Sequence, residues 1–138
     1  GNTDVRDAVD AGTIKVGLIN HYYWYEKAAE VGADTLKVRN HFLAAGDPGS
    51  LVNVAGVAVM RTATGAQAGD AQKLVDYLLS PAAQDFLVTE TAEYPLVAGV
   101  ATVEGLRPLA QITGPDVDLA GLADIAATQD LLTRVGLV

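Results

Sequence analysis

Stretches with helical periodicity alternate along this chain with short apolar, β-branched runs, and that alternation predicts an α/β fold. Two runs carry the expectation. Residues 13–19 (TIKVGLI) read as a buried strand of a parallel sheet, and residues 52–61 return as a second apolar, β-branched strand. The segment between them ends a row of good helix formers on Gly32, as a helix does.

Taken in order, residues 3–11 place Val5, Ala8 and Val9 on one face, with Thr3 as the cap and Gly12 as the stop. Residues 22–31 form the second helix. Residues 35–43 look like a strand with Leu36 and Val38 on one side, and Gly46-Asp47-Pro48-Gly49 is a turn. Ala71, Leu74, Val75 and Leu78 share a face of a helix over 69–79. Ser80-Pro81 stops it and starts another, with Ser80 at the N-cap and Pro81 at the first helical position, running to about Thr89. Gly65-Ala66-Gln67-Ala68-Gly69 lacks the Gly-Lys-Ser/Thr ending of a phosphate loop and reads as a linker. Residues 94–100 contain Pro95 and are extended edge or loop. Residues 108–118 are irregular, and 119–135 are helical in at least one stretch.

Composition excludes several classes. Half of the 138 residues are hydrophobic, too many for a disordered chain. A net charge of −8 argues against nucleic acid, whose phosphates need a Lys/Arg surface. The longest apolar run, residues 51–60, is interrupted by Asn53 and falls short of the ~20 residues that cross a bilayer. The absence of cysteine removes disulfides, thiolate catalysis and Cys-based zinc sites. Gly1-Asn2-Thr3 is neither an initiator methionine nor a signal peptide, and the chain reads as a piece of a longer polypeptide.

Chemistry concentrates in Asn20-His21-Tyr22-Tyr23-Trp24-Tyr25, which holds three of the five tyrosines, the single tryptophan and one of the two histidines. It lies where a predicted strand gives way to a predicted helix. Ligands of open α/β sheets bind beyond strand carboxyl ends, and a helix start offers unpaired N–H groups and positive dipole. Adjacent residues diverge in both strand and helix, so Tyr22 and Tyr23 converge on one ligand most easily at the bend, or in the first helical turn. Phenolate oxygens are hard, charged donors suited to a hard trivalent cation such as Fe³⁺. The same residues also read as aromatic core or as an apolar ligand floor, and spacing alone leaves both open. His21 and His41 show no paired metal-ligand spacing, and Glu90, Glu93 and Glu104 are scattered.

Asn20-His21-Tyr22-Tyr23-Trp24 after Gly17-Leu18-Ile19 resembles the signature of ferric-iron-binding periplasmic proteins, the solute receptors of Fe³⁺ ABC transporters. Asn40-His41-Phe42, the run from Gly46 to Gly56, the run from Ala71 to Pro81, and Glu93-Tyr94-Pro95-Leu96 continue the likeness in order. It covers nearly the whole chain and is weakest over 102–138. The resemblance implies a class II periplasmic-binding-protein architecture, with this chain as a C-terminal part containing pieces of both lobes. Residues 1–52 would belong to the second lobe and 53–103 would cross the hinge to the first. Residues 104–138 would return to the second lobe.

It further implies that Tyr22 and Tyr23 ligate Fe³⁺, while Asn20, and with it Asn2, hold a synergistic phosphate or carbonate. Other ligands would come from a first lobe in sequence not present here, so this chain alone would hold no cofactor. The implied partners are an ABC permease and the missing N-terminal part of the parent, with no nucleic acid. Contact with the membrane would be peripheral at most. The location is periplasmic or extracellular, with a lipoprotein anchor compatible. A chain holding half of each lobe leaves apolar faces open and is expected to self-associate. Three alternatives stand beside this: a receptor for sulfate, an organophosphate, a polyamine or a sugar; a fragment that binds nothing by itself; and an enzyme using Tyr22 or Tyr23 with His21 as general acid–base. No partner at defined spacing activates them, so the expectation is a binding protein and no enzyme.

Overall fold

Helix signals in the sequence are honoured wherever a cap, a run of good formers and a stop coincide. The structure, a computed structural model, describes residues 1–115 and 124–138. Helix α1 spans Asn2–Asp10, α2 Tyr22–Val31, α3 Gly65–Leu78, α4 Pro81–Thr91 and α5 Ile125–Arg134, with single 3-10 turns at Ala33–Thr35 and Leu109–Gln111. Ser80 Oγ accepts from the Ala83 amide at 3.3 Å and Pro81 opens α4, as expected of an N-cap followed by proline. Asp124 Oδ1 caps α5 through the Ala127 amide at 2.9 Å. The part of the expected C-terminal helix that falls on 119–123 lies outside the described residues.

Two helix starts differ from expectation. Thr3 is inside α1, whose cap is Gly1, and Asp4 reaches back to the Gly1 ammonium at 2.8 Å. Helix α3 begins at Gly65, after Thr64, so the expected linker is its first turn, where Ala66, Gln67 and Ala68 favour helix.

The α/β expectation is overturned. Among the described residues there is no strand and no sheet, so the class II periplasmic-binding-protein architecture with its strands is not what this chain adopts. The physical reason is visible at each expected strand. β-branched residues favour a strand only where a partner ladder and a packing face exist. Residues 13–19 lie instead against α1, so closely that a Cβ on Gly17 would stand 2.2 Å from a methyl of Val5. In 35–43 the amides of Lys37 and Val38 both donate to Asp10 Oδ1, at 2.6 and 3.0 Å. A carboxylate thus takes the place of a neighbouring strand, and those bonds hold the Asp10 pKa below the usual carboxylate range. In 52–61 no ladder forms, and Val54, Val57 and Met60 are exposed.

The described residues pack as two units, one of 1–42 with 53–112 and the other of 43–52 with 113–115 and 124–138. In the first, α2 packs on α1 and α4, and α3 on α4. Its buried apolar residues are Leu36, Val38, Ala83, Val88, Ala92 and Leu106. Gln84 is buried among them and satisfied, donating to the Leu78 carbonyl and accepting from the Leu96 amide. The second unit carries the expected turn, where Gly46 has φ 78° and Asp47 Oδ1 accepts from the Gly49 amide at 2.8 Å. The Gly46 amide also donates to the Thr113 carbonyl at 2.7 Å, and α5 completes this unit.

Two outcomes follow from these contacts. Gly17→Ala forces a methyl into the stiff, β-branched Val5 and is expected to destabilise the chain by ~1–3 kcal/mol, measured by urea unfolding. Val16 and Leu18 are 84% and 94% exposed, so the isolated chain is expected to scatter light as a species heavier than 14.3 kDa at micromolar concentration. A monodisperse monomer at every concentration is the contrary result.

Candidate functional site

The aromatic cluster sits in the first turn of α2, and four backbone-directed bonds hold that turn. Asn40 Nδ2 donates to the His21 carbonyl at 2.9 Å. Arg6, buried on α1, donates through Nη1 to the Tyr23 carbonyl at 3.0 Å and pairs through Nε with Asp7 at 2.8 Å. His21 Nε2 meets the Ala92 carbonyl at 2.8 Å, and Trp24 Nε1 donates to the Val38 carbonyl at 2.9 Å.

On that support Tyr22 and Tyr23 are the first two residues of α2. Their rings lie side by side, with centroids 4.7 Å apart and planes inclined at 36°. Asn20 Nδ2 donates to Tyr22 Oη at 2.9 Å. Burial pushes the Tyr22 phenol above its ordinary pKa, the Asn20 bond pulls it down, and the neighbouring Tyr23 hydroxyl pushes it up again. The donor aimed at Oη favours a phenolate, but burial and Tyr23 outweigh it, so the neutral phenol is favoured in the chain without metal. Both rings are half-buried, so solvent reaches them.

Asn20, Tyr22 and Tyr23 are thus brought together. Asn2, at the start of α1, has no hydrogen bond to any of them among the described residues. His41 is exposed, while the His21 ring lies 5.0 Å from Tyr94, 5.7 Å from Tyr22 and 6.5 Å from Phe42. No group of three or more His, Cys, Asp or Glu residues converges among the described residues, so the hard donors here are the two phenols and the Asn20 amide. Sequence reasoning passed over Arg6, Asn40 and Tyr94. Asn40 and Tyr94 carried a signal, through their places in Asn40-His41-Phe42 and Glu93-Tyr94-Pro95-Leu96, and Arg6 carried none.

Tyr94 is the site's unbalanced residue. Its Oη is buried and has no hydrogen-bond partner among the described residues. Burial, with the nearby Tyr25 phenol adding to it and Arg107 opposing, pushes its pKa up to about 12. The neutral phenol is favoured in the fold, so its contribution is complete below the unfolded value of ~10 and is lost as pH rises through about 12. Tyr94→Phe removes an unsatisfied hydroxyl. It is expected to be at least as stable as the parent at neutral pH and to lose part of its alkaline destabilisation, followed by thermal unfolding between neutral pH and strong alkali.

No protein-family model matches this chain. It is similar to the "Major ferric iron-binding protein" of Neisseria meningitidis, with 33% identity over 136 residues, 99% of this chain and 40% of that protein. The "Fe(3+)-binding periplasmic protein" of Serratia marcescens is 31% identical over 139 residues, again 40% of its length. "Iron uptake protein A1" of Synechocystis is 34% identical over 100 residues, 68% of this chain and 27% of that protein. The chain is a homologue of ferric-iron-binding proteins along nearly its whole length and spans about two fifths of theirs.

Proposed function

We propose, on the premise of that homology, that this chain is part of a receptor that captures ferric iron and delivers it to a membrane importer. The observation that carries the reading is the pair of adjacent phenols, Tyr22 and Tyr23, paired at a helix start within the homologous span. Tyr22 and Tyr23 would be the metal's donors from this chain. Asn20, with Asn2, would hold a phosphate or carbonate that takes part of the coordination sphere, and the remaining ligands would come from sequence of the parent outside this chain. In this reading residues 1–52 and 104–138 go with one lobe of the parent and 53–103 with the other. The parent works outside the cytoplasm, as the name of the Serratia relative says of that protein. No helix among the described residues is long and apolar enough to cross a membrane.

The chemistry is capture and release. Fe³⁺ is a hard cation and phenolate a hard anion, so the metal replaces the phenolic protons. Asn20 then donates to a charged oxygen instead of a neutral one, which strengthens the bond already present. Because burial holds the Tyr22 proton more tightly than in a free phenol, protons compete better as pH falls. Acid is therefore expected to release the metal. No covalent bond is made or broken in the cargo, and the reading includes no catalysed step.

The test is a ferric citrate titration of the parent polypeptide, followed by the visible phenolate-to-iron absorbance. Tyr22→Phe and Tyr23→Phe each remove one charged donor while keeping the ring. Each is expected to weaken binding by more than the ~10–100-fold of an outer-sphere change. A colourless parent, or a Phe variant that binds like wild type, refutes iron as the cargo and leaves an anion or a polyamine to be tried. The isolated chain is expected to bind weakly, since two phenols leave most of the metal's coordination sphere to water.

A further inference from the structure

We infer that His21, although it sits inside the tyrosine motif, is a positioning residue for Tyr22 and Tyr23 and not a metal ligand; this rests on the reading that those tyrosines carry the metal. A carbonyl oxygen only accepts, so the 2.8 Å contact to Ala92 places the proton of His21 on Nε2. That holds for the neutral Nε2–H tautomer and for the imidazolium alike, and it occupies the ring's outer nitrogen.

The acceptor is itself held. Ala92 is buried, caps α4 in the left-handed region at φ 54°, and its amide donates to the Val88 carbonyl at 2.9 Å. Around the ring stand Tyr94, Tyr22, Tyr25 and Phe42, with centroids 5.0 to 6.5 Å away. At the backbone end, the His21 carbonyl accepts from Asn40 Nδ2 at 2.9 Å and from the Trp24 amide at 3.2 Å.

One residue is therefore gripped at both ends by different parts of the chain: the end of α4 at its ring, and Asn40 at its carbonyl. Asn20 and Tyr22 are its two chain neighbours. With the peptide between them pinned, the directions in which the two phenols leave α2 are set before any metal arrives. Pre-orientation of this kind lowers the ordering cost of ligation.

The test compares His21→Gln with His21→Asn in the parent polypeptide. Gln carries an N–H where Nε2 stood and can reach the Ala92 carbonyl, whereas the shorter Asn cannot. With ferric citrate as probe, His21→Gln is expected to bind close to wild type with an unchanged visible band, and His21→Asn to bind ~10–100-fold more weakly. Long-range ¹H–¹⁵N spectra of the wild-type imidazole should show Nε2 protonated, before and after addition of Ga³⁺ as a diamagnetic substitute.

Loss of binding in His21→Gln, a changed band there, or an unprotonated Nε2 overturns the proposal. If His21→Asn fails to fold, the Gln variant and the tautomer still decide. Tyr22→Phe and Tyr23→Phe run alongside: if they too bind like wild type, the iron reading falls and takes this one with it. If they lose the metal while His21→Gln also loses it, only the positioning role falls.

Discussion

The first turn of α2 is held by hydrogen bonds to its backbone, and the geometry of the tyrosine pair depends on them. Arg6 and Asn40 each spend a side-chain donor on a carbonyl in that turn, at Tyr23 and His21. Such bonds are worth only ~1 kcal/mol each in net stability, but a buried guanidinium left without acceptors costs considerably more. Arg6 is 6% exposed and satisfied by Asp7 and Tyr23 together. Removing the turn would take the acceptor from Nη1 and leave Asp7 as its partner. The helix turn and its support therefore depend on one another.

Local chemistry was legible in the sequence to the extent that it is local. Ser80-Pro81 announced α4, Gly32 closed α2, and the Gly46–Gly49 turn formed as expected. Leu36 and Val38 were read as facing one side and are both buried, although the segment that carries them is no strand. What failed was the inference from β-branched runs to a sheet. A strand is a relation between two segments, and nothing in TIKVGLI states whether a partner exists. Here the segment 13–19 touches α1 at Gly17 and leaves Val16 and Leu18 exposed, and the Asp10 carboxylate answers the amides of Lys37 and Val38.

The site divides in the same way. Tyr22, Tyr23 and Asn20 were singled out from sequence and lie together, because neighbours in sequence at a helix start remain neighbours in space. Arg6, Tyr94 and Ala92 reach the motif from 17 to 73 residues away, and no periodicity encodes such distances. The similarity to iron-binding proteins supplies what spacing could not: a reason to read two paired phenols as donors and not as core. Their half-buried state fits neither a fully packed core nor a free surface.

Ala92 has a consequence of its own. It is the one described non-glycine residue with positive φ, at 54°. A left-handed alanine costs ~1–2 kcal/mol relative to the right-handed form, whereas glycine would adopt it freely. Glycine would also free the unfolded chain, so the net change in stability from such a swap is small. The difference lies in how sharply the peptide is confined. A Cβ narrows the well, and the carbonyl at the end of α4 keeps one bearing. The residue that looks least favourable on conformational grounds is thus the one that limits the wobble of its own acceptor oxygen, trading ease of folding for a narrow angular distribution.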